Sequence, residues 1–537
     1  MPRTLEVYNL LGVLPDVRAR ALTGLRNRAY KLPGGVEPLK TYYMDPPAEP
    51  SPAVPYPNLV SLGQASVAEI LRRHMEALGG RIEFGTELVS FEQDGACVHA
   101  RITKKARLGG SDSDEVEVQE ETVVASWLVG CDGAKSTVRK LLGMEFKGET
   151  RTGEGETRLV IADVEVKGLS VEYWHFWGEF STILVMLRPT EDEDIFALWV
   201  GGQIDYAKVA SDREELIKAV RAGTDREDLQ IGEVKWLSEF RPNIRMVDRF
   251  SEGRVFLVGD AAHVHSPFGA QGLNSGIQDA FNLAWKLALA HRRLAAPGLL
   301  SSYTAERQPV IAAMLRKTTA LLDATAETMR SREDSERTAQ TWDRGGALKQ
   351  MGVNYRWSAV VLDERAAARG EGAVEGRERE PVDPYGYGLV KGGSIRAGER
   401  APDATGLAHV KTDDETSGAE TSLFSIFSAT RHTLLLFVGA ANADELAPII
   451  AQARRYPPDI LHPVVIFSSE ERLASIEGSG AHLDLDVTLV DREGHAFAGY
   501  RCDGDRLTVV VVRPDGVIGG IVYSLKGLEK YFGGVFS

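Results

Sequence analysis

The chain has 537 residues and a formal charge of −15, from 62 Lys and Arg against 77 Asp and Glu, with 43% hydrophobic and 26% charged residues. This is globular composition, enough for about three to four domains, and it carries no basic footprint for nucleic acid or an anionic membrane surface. Three cysteines (Cys97, Cys131, Cys502), none in a CxxC pair, exclude a disulfide scaffold and the usual zinc ribbons. No apolar run approaches the ~18 residues of a membrane span, and the first residues lack the apolar region of a signal peptide. A reducing, cytoplasmic location is the expectation.

In chain order, Arg3 to Leu14 reads as a short amphipathic helix ended by Gly12. Leu32 to Asn58, rich in Pro and Gly, reads as an extended loop. Ser66 is placed as the cap of a helix carrying Val67, Ile70 and Leu71 and stopped by Gly79 and Gly80. Period-two segments at 81–84, 87–92, 96–103 and 115–125 predict a meander, with a polar loop at 108–114. Trp127–Cys131 is wholly apolar, as a strand buried on both faces would be. Four alternating stretches within 157–202 predict an antiparallel sheet, followed by a helix at 212–222. Arg254–Val258 is a second buried strand, and long helices follow at about 276–291 and 301–325. Residues 363–394 read as a linker, and strands alternating with helical segments beyond it make a compact α/β unit.

Chemistry concentrates where the two buried strands end. The first runs into Asp132-Gly133, with Ser136 opening a helix. Ligands gather at the carboxyl ends of such strands, Gly133 would admit one close to the backbone, and Asp132 could accept a hydrogen bond. A strand–turn–helix junction with a Ser cap is the structural alternative. The second strand reaches Gly259-Asp260, then Pro267, Gly269, Gly272, Leu273, Asn274 and Gly276. It supplies a carboxylate for a sugar-type hydroxyl, a tight loop with free amides, and the positive end of a helix.

This second segment resembles the Gly-Asp motif of the single-component FAD-dependent aromatic hydroxylases, the p-hydroxybenzoate and phenol hydroxylase class. The Asp132 turn, with Ser136 and Arg139, resembles the DGxxSxVR motif of the same family. The resemblance implies an α/β FAD-binding, Rossmann-like unit with an inserted antiparallel substrate sheet. It further implies that Asp260 holds the FAD ribityl or ribose region, that the loop of Gly259, Pro267, Gly269, Gly272, Leu273 and Asn274 wraps pyrophosphate and isoalloxazine, and that Asp132 serves FAD and NAD(P)H handling. Gln64 resembles a flavin-contacting glutamine, with helix capping as its structural alternative. Arg245 resembles an arginine near the flavin ring, with a surface role as the alternative. Residues 395–537, with Arg513-Pro514-Asp515-Gly516, resemble the thioredoxin-like appendage of phenol hydroxylases. Lacking CxxC, that appendage is expected to be structural or to support a homodimer.

The implied boundaries are 1–155 and 241–362 for the two parts of the FAD-binding unit, 156–240 for the substrate sheet, 363–394 for the linker and 395–537 for the appendage. The implied reaction uses NAD(P)H to reduce FAD and O2 to form a flavin C4a-hydroperoxide, which hydroxylates a phenolic ring. His175, among Tyr173, Trp174, Phe176 and Trp177, is an acid–base candidate or a core histidine. His263 and His265 have metal-like spacing, but no ligand set completes a metal site, so they are expected to support the loop. The GxGxxG turn that opens this family is not present, and a truncated gene product or a degenerate protein is the expectation. A dehydrogenase of the same fold, a halogenase (disfavoured without a WxWxIP signature) and a non-catalytic scaffold are the rival readings.

Overall fold

The computed structural model describes residues 1–107, 116–150, 158–241, 243–265, 269–328, 349–365, 382–385, 395–410, 418–440, 443–477, 487–502 and 504–537. Helix α1 (Pro2–Leu10) ends before Gly12, whose φ of 76° reverses the chain into a second helix, α2 (Leu14–Arg20). Strands β1 (Arg26–Tyr30) and β2 (Pro38–Tyr42) follow, so the expected loop at 32–58 is partly sheet. Proline misled the reading because Pro38 opens an edge strand, where no ladder hydrogen bond is lost. Helix α3 (Gln64–Ala77) starts after Gly63. Ser66 therefore lies inside its first turn rather than capping it, and its hydroxyl donates to Glu191 instead. Gly79, at φ 86°, terminates the helix.

Strands β3 (Thr86–Gln93), β4 (Val98–Arg107) and β5 (Val116–Ala125) form the expected meander. Arg81–Phe84 is not a strand, since Phe84 is exposed and Gly85 turns there with positive φ. The polar loop expected at 108–114 lies outside the described residues. Short strand β6 (Leu128–Gly130), helix α4 (Thr137–Leu141) and strand β7 (Lys147–Thr150) complete this region.

Four of the predicted strands, β8 (Leu159–Lys167), β9 (Tyr173–Trp177), β10 (Ile183–Pro189) and β11 (Ile195–Gly202), build a sheet with β12 (Gln230–Phe240) beyond helix α5 (Arg213–Thr224). The sheet is larger than expected. Its order is β12-β8-β11-β10-β9-β1-β2, and β9 pairs parallel to β1. Alternation sends Trp177, Val185, Leu187, Leu198 and Val200 to one face, against Leu216 and Val220 of α5.

Strand β13 (Asn243–Met246) lies between β7 and β16 (His263–Val264). Strand β14 (Ser251–Glu252) leads into β15 (Val255–Leu257), which runs parallel to β6. Two long helices follow: α6 (Gly272–His291), one turn longer at its start than predicted, and α7 (Ser302–Thr328). The C-terminal unit is an eight-stranded sheet centred on the strand His432–Val438, every residue of which is buried. Helices Ala443–Ala453 and Leu525–Val535 cover one of its faces together with Trp285 and Leu289 of α6. The strand Leu362–Asp363 pairs with Ile518–Val522 at the edge of this sheet, so the first residues of the expected linker are integral to the fold. Most of the remaining linker residues lie outside the described set. Among the described residues, no helix is long and apolar enough to cross a membrane.

Candidate active site

The register Leu128↔Val255 and Gly130↔Leu257 places the two Gly/Asp turns side by side at the carboxyl ends of β6 and β15. Arg139 fastens them together. Its Nη1 donates to Ala261 O (2.9 Å) and its Nη2 to Ala134 O (2.7 Å), with the guanidinium 3.8 Å from the centre of the Phe146 ring.

The two aspartates differ sharply. Asp132 is spent on its own turn: its oxygens accept from Ser136 Oγ (2.5 Å) and from the backbone N–H groups of Thr137 (2.7 Å) and Val138 (3.1 Å), capping α4. The structural alternative for that turn is thus present in full. Asp260 is exposed, and its carboxylate has no hydrogen-bond partner among the described residues. Burial of its surroundings pushes its pKa up, opposed by His263. Asp260 is the acceptor left for a ligand.

Behind Asp260 sits a group that no motif reading assigned. Asp279 of α6, fully buried, accepts from Gly259 N–H (3.2 Å), His263 Nε2 (2.7 Å) and Arg307 Nε (2.7 Å). Burial would raise its pKa, but Arg307 and His263 outweigh that and hold it below the ordinary carboxylate value. Gly259 itself adopts φ 58°, and its Cα packs against Gly276 of the helix. A Cβ here would be strained by the backbone rather than by lack of space. Asp279 therefore fixes the turn that presents Asp260.

The comparisons with known proteins bear on this arrangement. The family described as "FAD binding domain" matches residues 1–318. The chain belongs to the flavoprotein aromatic hydroxylases. A flavin-dependent monooxygenase of Mycobacteroides abscessus is 31% identical over 99% of this chain and 90% of that protein. Pentachlorophenol 4-monooxygenase of Sphingobium chlorophenolicum is 28% identical over 88% of this chain and 77% of that protein. Among solved structures, a ternary complex of aklavinone-11 hydroxylase with FAD and aklavinone aligns with TM-score 0.70 at 23% identity, over 99% of this chain and 90% of that one.

The residues of this hydroxylase fit the FAD that its family implies. The unpartnered Asp260 carboxylate stands before α6, whose first turn offers the backbone N–H groups of Gly272, Leu273 and Asn274, with Leu273 exposed. Gly269 (φ 88°) and Ala270 (φ 52°) bend the chain into that helix, and Asn274 closes the bend by donating to Ala270 O (2.8 Å) while accepting from Thr4 Oγ1 (2.6 Å). Pro267 lies outside the described residues. Gln64 is the first residue of α3, exposed and without a side-chain partner among the described residues, so its amide is open to a ligand. Arg245 projects from β13, paired directly to β16 just beyond Asp260, and donates to Asn243 Oδ1 (2.9 Å) and Phe146 O (3.1 Å).

His175 is elsewhere. It is fully buried, hydrogen-bonded at Nδ1 to Tyr30 Oη (2.7 Å) and at Nε2 to Ser170 O (2.7 Å), and stacked near Tyr30 and Trp177. Burial lowers its pKa to about 4, and neither ring nitrogen is left for a substrate. His263 braces the loop through Asp279, whereas the one metal-like group among the described residues, exposed Asp94 and His99 with half-buried Cys97, lies where β3 turns into β4.

A second buried set ties helices α6 and α7 to the C-terminal unit. Glu306 accepts from Lys286 Nζ (2.8 Å), Asn282 Nδ2 (2.7 Å), Ser358 Oγ (2.7 Å) and both Arg513 Nη atoms (2.8 and 3.0 Å). The Arg513-Pro514-Asp515 segment, read in the sequence only as a family mark, is this anchor. The available signal was polar residues recurring every three or four positions through the apolar helix α6: Ser275, Gln278, Asp279, Asn282 and Lys286.

Proposed function

We propose that the protein is an FAD- and NAD(P)H-dependent monooxygenase that hydroxylates a phenolic aromatic substrate with O2. The observation that carries this reading is the free Asp260 carboxylate at the start of α6, held in place by Asp279. Asp260 accepts from a hydroxyl of the cofactor's polyol chain, and the first N–H groups of α6 donate to its electron-rich atoms. Gln64 and Arg245 approach from α3 and β13. Asp132 shapes its turn as a cap, and any service to NAD(P)H is through that shape.

Reduced by NAD(P)H, bound FAD supplies the oxygen-transfer chemistry. The protein's share is to orient the ring and to keep water from the reacting centre. His175 takes no part in proton transfer and serves as packing beneath the sheet. Relatives named for pentachlorophenol and for anhydrotetracycline support an aromatic substrate with an ionisable ring hydroxyl. The C-terminal unit, anchored by Arg513 on Glu306, serves as a structural appendage.

The test is the visible spectrum of the purified chain before and after adding FAD, followed by NADH or NADPH oxidation with phenol and mass analysis of the product formed under 18O2. Flavin bands, substrate-stimulated oxidation and one heavy oxygen in the product are expected. A chain that stays colourless with excess FAD would sink the reading and leave the scaffold role in its place.

A further inference from the structure

Three buried side-chain amides are threaded in one direction toward the loop that leads into α6. Gln278 Nε2 donates to Gln350 Oε1 (2.6 Å), and Gln350 Nε2 donates to Gln271 Oε1 (2.7 Å). Gln271 Nε2 in turn donates to the Gly269 carbonyl (2.7 Å). Gln350 Nε2 also donates to Ser275 Oγ (3.2 Å), so the middle amide is satisfied at both its oxygen and its nitrogen. All four side chains (Gln271, Ser275, Gln278 and Gln350) are buried, where an unmet amide would be costly.

Gln350 lies 79 positions beyond Gln271, far outside the Gly-Asp segment. Its surroundings are fastened separately. Lys349 pairs with Asp45 (3.0 Å), Tyr355 Oη accepts from Arg307 Nη1 (3.0 Å), and Tyr355 N–H donates to Gly398 O (2.7 Å). Between these ties Gln350 is held at φ 61°, in the left-handed region that a residue with a Cβ enters only at a cost. Glycine would adopt that backbone freely, so what the position requires is the amide.

The far end of the relay shows what the amide serves. Gly269 (φ 88°) and Ala270 (φ 52°) are consecutive residues at positive φ, and the Gly269 carbonyl belongs to the peptide that joins them. Holding that carbonyl fixes the plane of the bend, and with it the direction of the free N–H groups that open α6.

We propose that Gln350 is a positioning residue for FAD. Through Gln271 it holds the Gly269–Ala270 peptide, and so the amides at the start of α6, in the arrangement the cofactor needs. This rests on the reading that FAD occupies the turn at Asp260.

The experiment compares the wild-type protein with Gln350→Met, Gln271→Met and the double variant. Each is measured by hydrogen exchange of the 269–278 peptide in the apoprotein, by urea unfolding and by fluorescence titration with FAD. Gln350→Met keeps the volume but breaks the relay. Exchange should quicken about 10-fold and FAD affinity should fall about 5- to 50-fold, the range for a lost buried hydrogen bond that leaves its partner unmet. The double variant sets two apolar chains against each other, so part of the stability lost in the single variants should return. Its exchange and FAD affinity should stay impaired, because the Gly269 carbonyl is still unheld. Affinity that recovers in step with stability would mark a merely structural role and overturn the proposal, as would wild-type exchange and affinity in Gln350→Met. Should Gln350→Met fail to fold, the double variant set against Gln271→Met gives the same comparison. A wild-type chain that takes up no FAD would overturn the FAD reading, and this proposal with it.

Discussion

Replacing Asp279 by Asn tests whether the flavin turn is held from behind. The substitution preserves shape but removes the charge shared by Arg307 Nε and His263 Nε2, each 2.7 Å away, at a site with no solvent exposure. One amide oxygen cannot replace two carboxylate oxygens, and the amide N–H₂ turns a donor toward donors. Removing one partner of a buried ion pair costs about 3–5 kcal/mol, because the remaining charge stays buried and uncompensated. Urea unfolding followed by tryptophan fluorescence should show a loss of that size. The double variant with Arg307→Met should lose less than the sum of the two single variants, with a coupling of about 1–3 kcal/mol. FAD affinity should fall as well, since Gly259 N–H loses its acceptor. A loss below about 1 kcal/mol, or strictly additive single effects, would show that Asp279 does not bear on the turn.

The two aspartates should separate cleanly. Asp260→Asn should weaken FAD binding by about 10-fold or more without destabilising the apoprotein, whereas Asp132→Ala should cost about 1 kcal/mol as a lost helix cap and change FAD binding less; flavin fluorescence titration and urea unfolding decide, and the reverse pattern would refute the assignment. Gly259→Ala should cost about 1–2 kcal/mol, because an L-residue is forced to φ 58° while its Cβ meets only Gly276 at 3.6 Å, and a loss above 4 kcal/mol would mean that packing dominates instead. Stability should decline with acid. The folded pKa of His175 is depressed to about 4 against an unfolded value near 6.5, so the unfolded chain binds the extra proton. The contribution is intact above pH ~6.5, is lost progressively toward pH ~4, and amounts to roughly 3 kcal/mol. His432, depressed to about 3, acts in the same direction. His175→Gln should flatten part of this slope in urea titrations at pH 7.0, 5.5 and 4.5 (about the window set by those values), and an unchanged slope would place the acid sensitivity elsewhere.

The parts of the fold that could be read from the chain are those where one local pattern suffices. The apolar Leu128–Gly130 and Val255–Leu257 runs announce strands that the structure pairs in parallel, although Val129 is exposed and only the second run is buried on both faces as expected, and the alternation through 159–202 announces a half-buried sheet. What could not be read depends on partners far away in sequence. Asp132 and Asp260 look equivalent as letters. They differ because Ser136, Thr137 and Val138 consume one carboxylate, while nothing described consumes the other. His175 stood out as an ionisable group among aromatics, but its two hydrogen-bond partners are Tyr30, on a strand that no local pattern in the sequence marked, and the Ser170 carbonyl. Strand β2 was hidden in the Pro- and Gly-rich stretch that follows because its edge position tolerates residues, Pro38 among them, that a central strand would not.

The strand pairing Leu159↔Phe240 brings the entrance and exit of the inserted sheet next to each other, while Arg139 reaches Ala261 across 122 positions. In mechanical terms residues 159–240 are spliced in at a narrow neck, with β1 and β2 joining the same sheet from the N-terminal part of the chain. Residues on its aromatic face can be exchanged, or its turns lengthened, without altering the separation of β6 and β15 that sets the two turns. The proposed substrate sheet and the proposed flavin turns can therefore drift independently in this scaffold. Glu191 on Gly63 is one joint at which a change in one would be felt by the other.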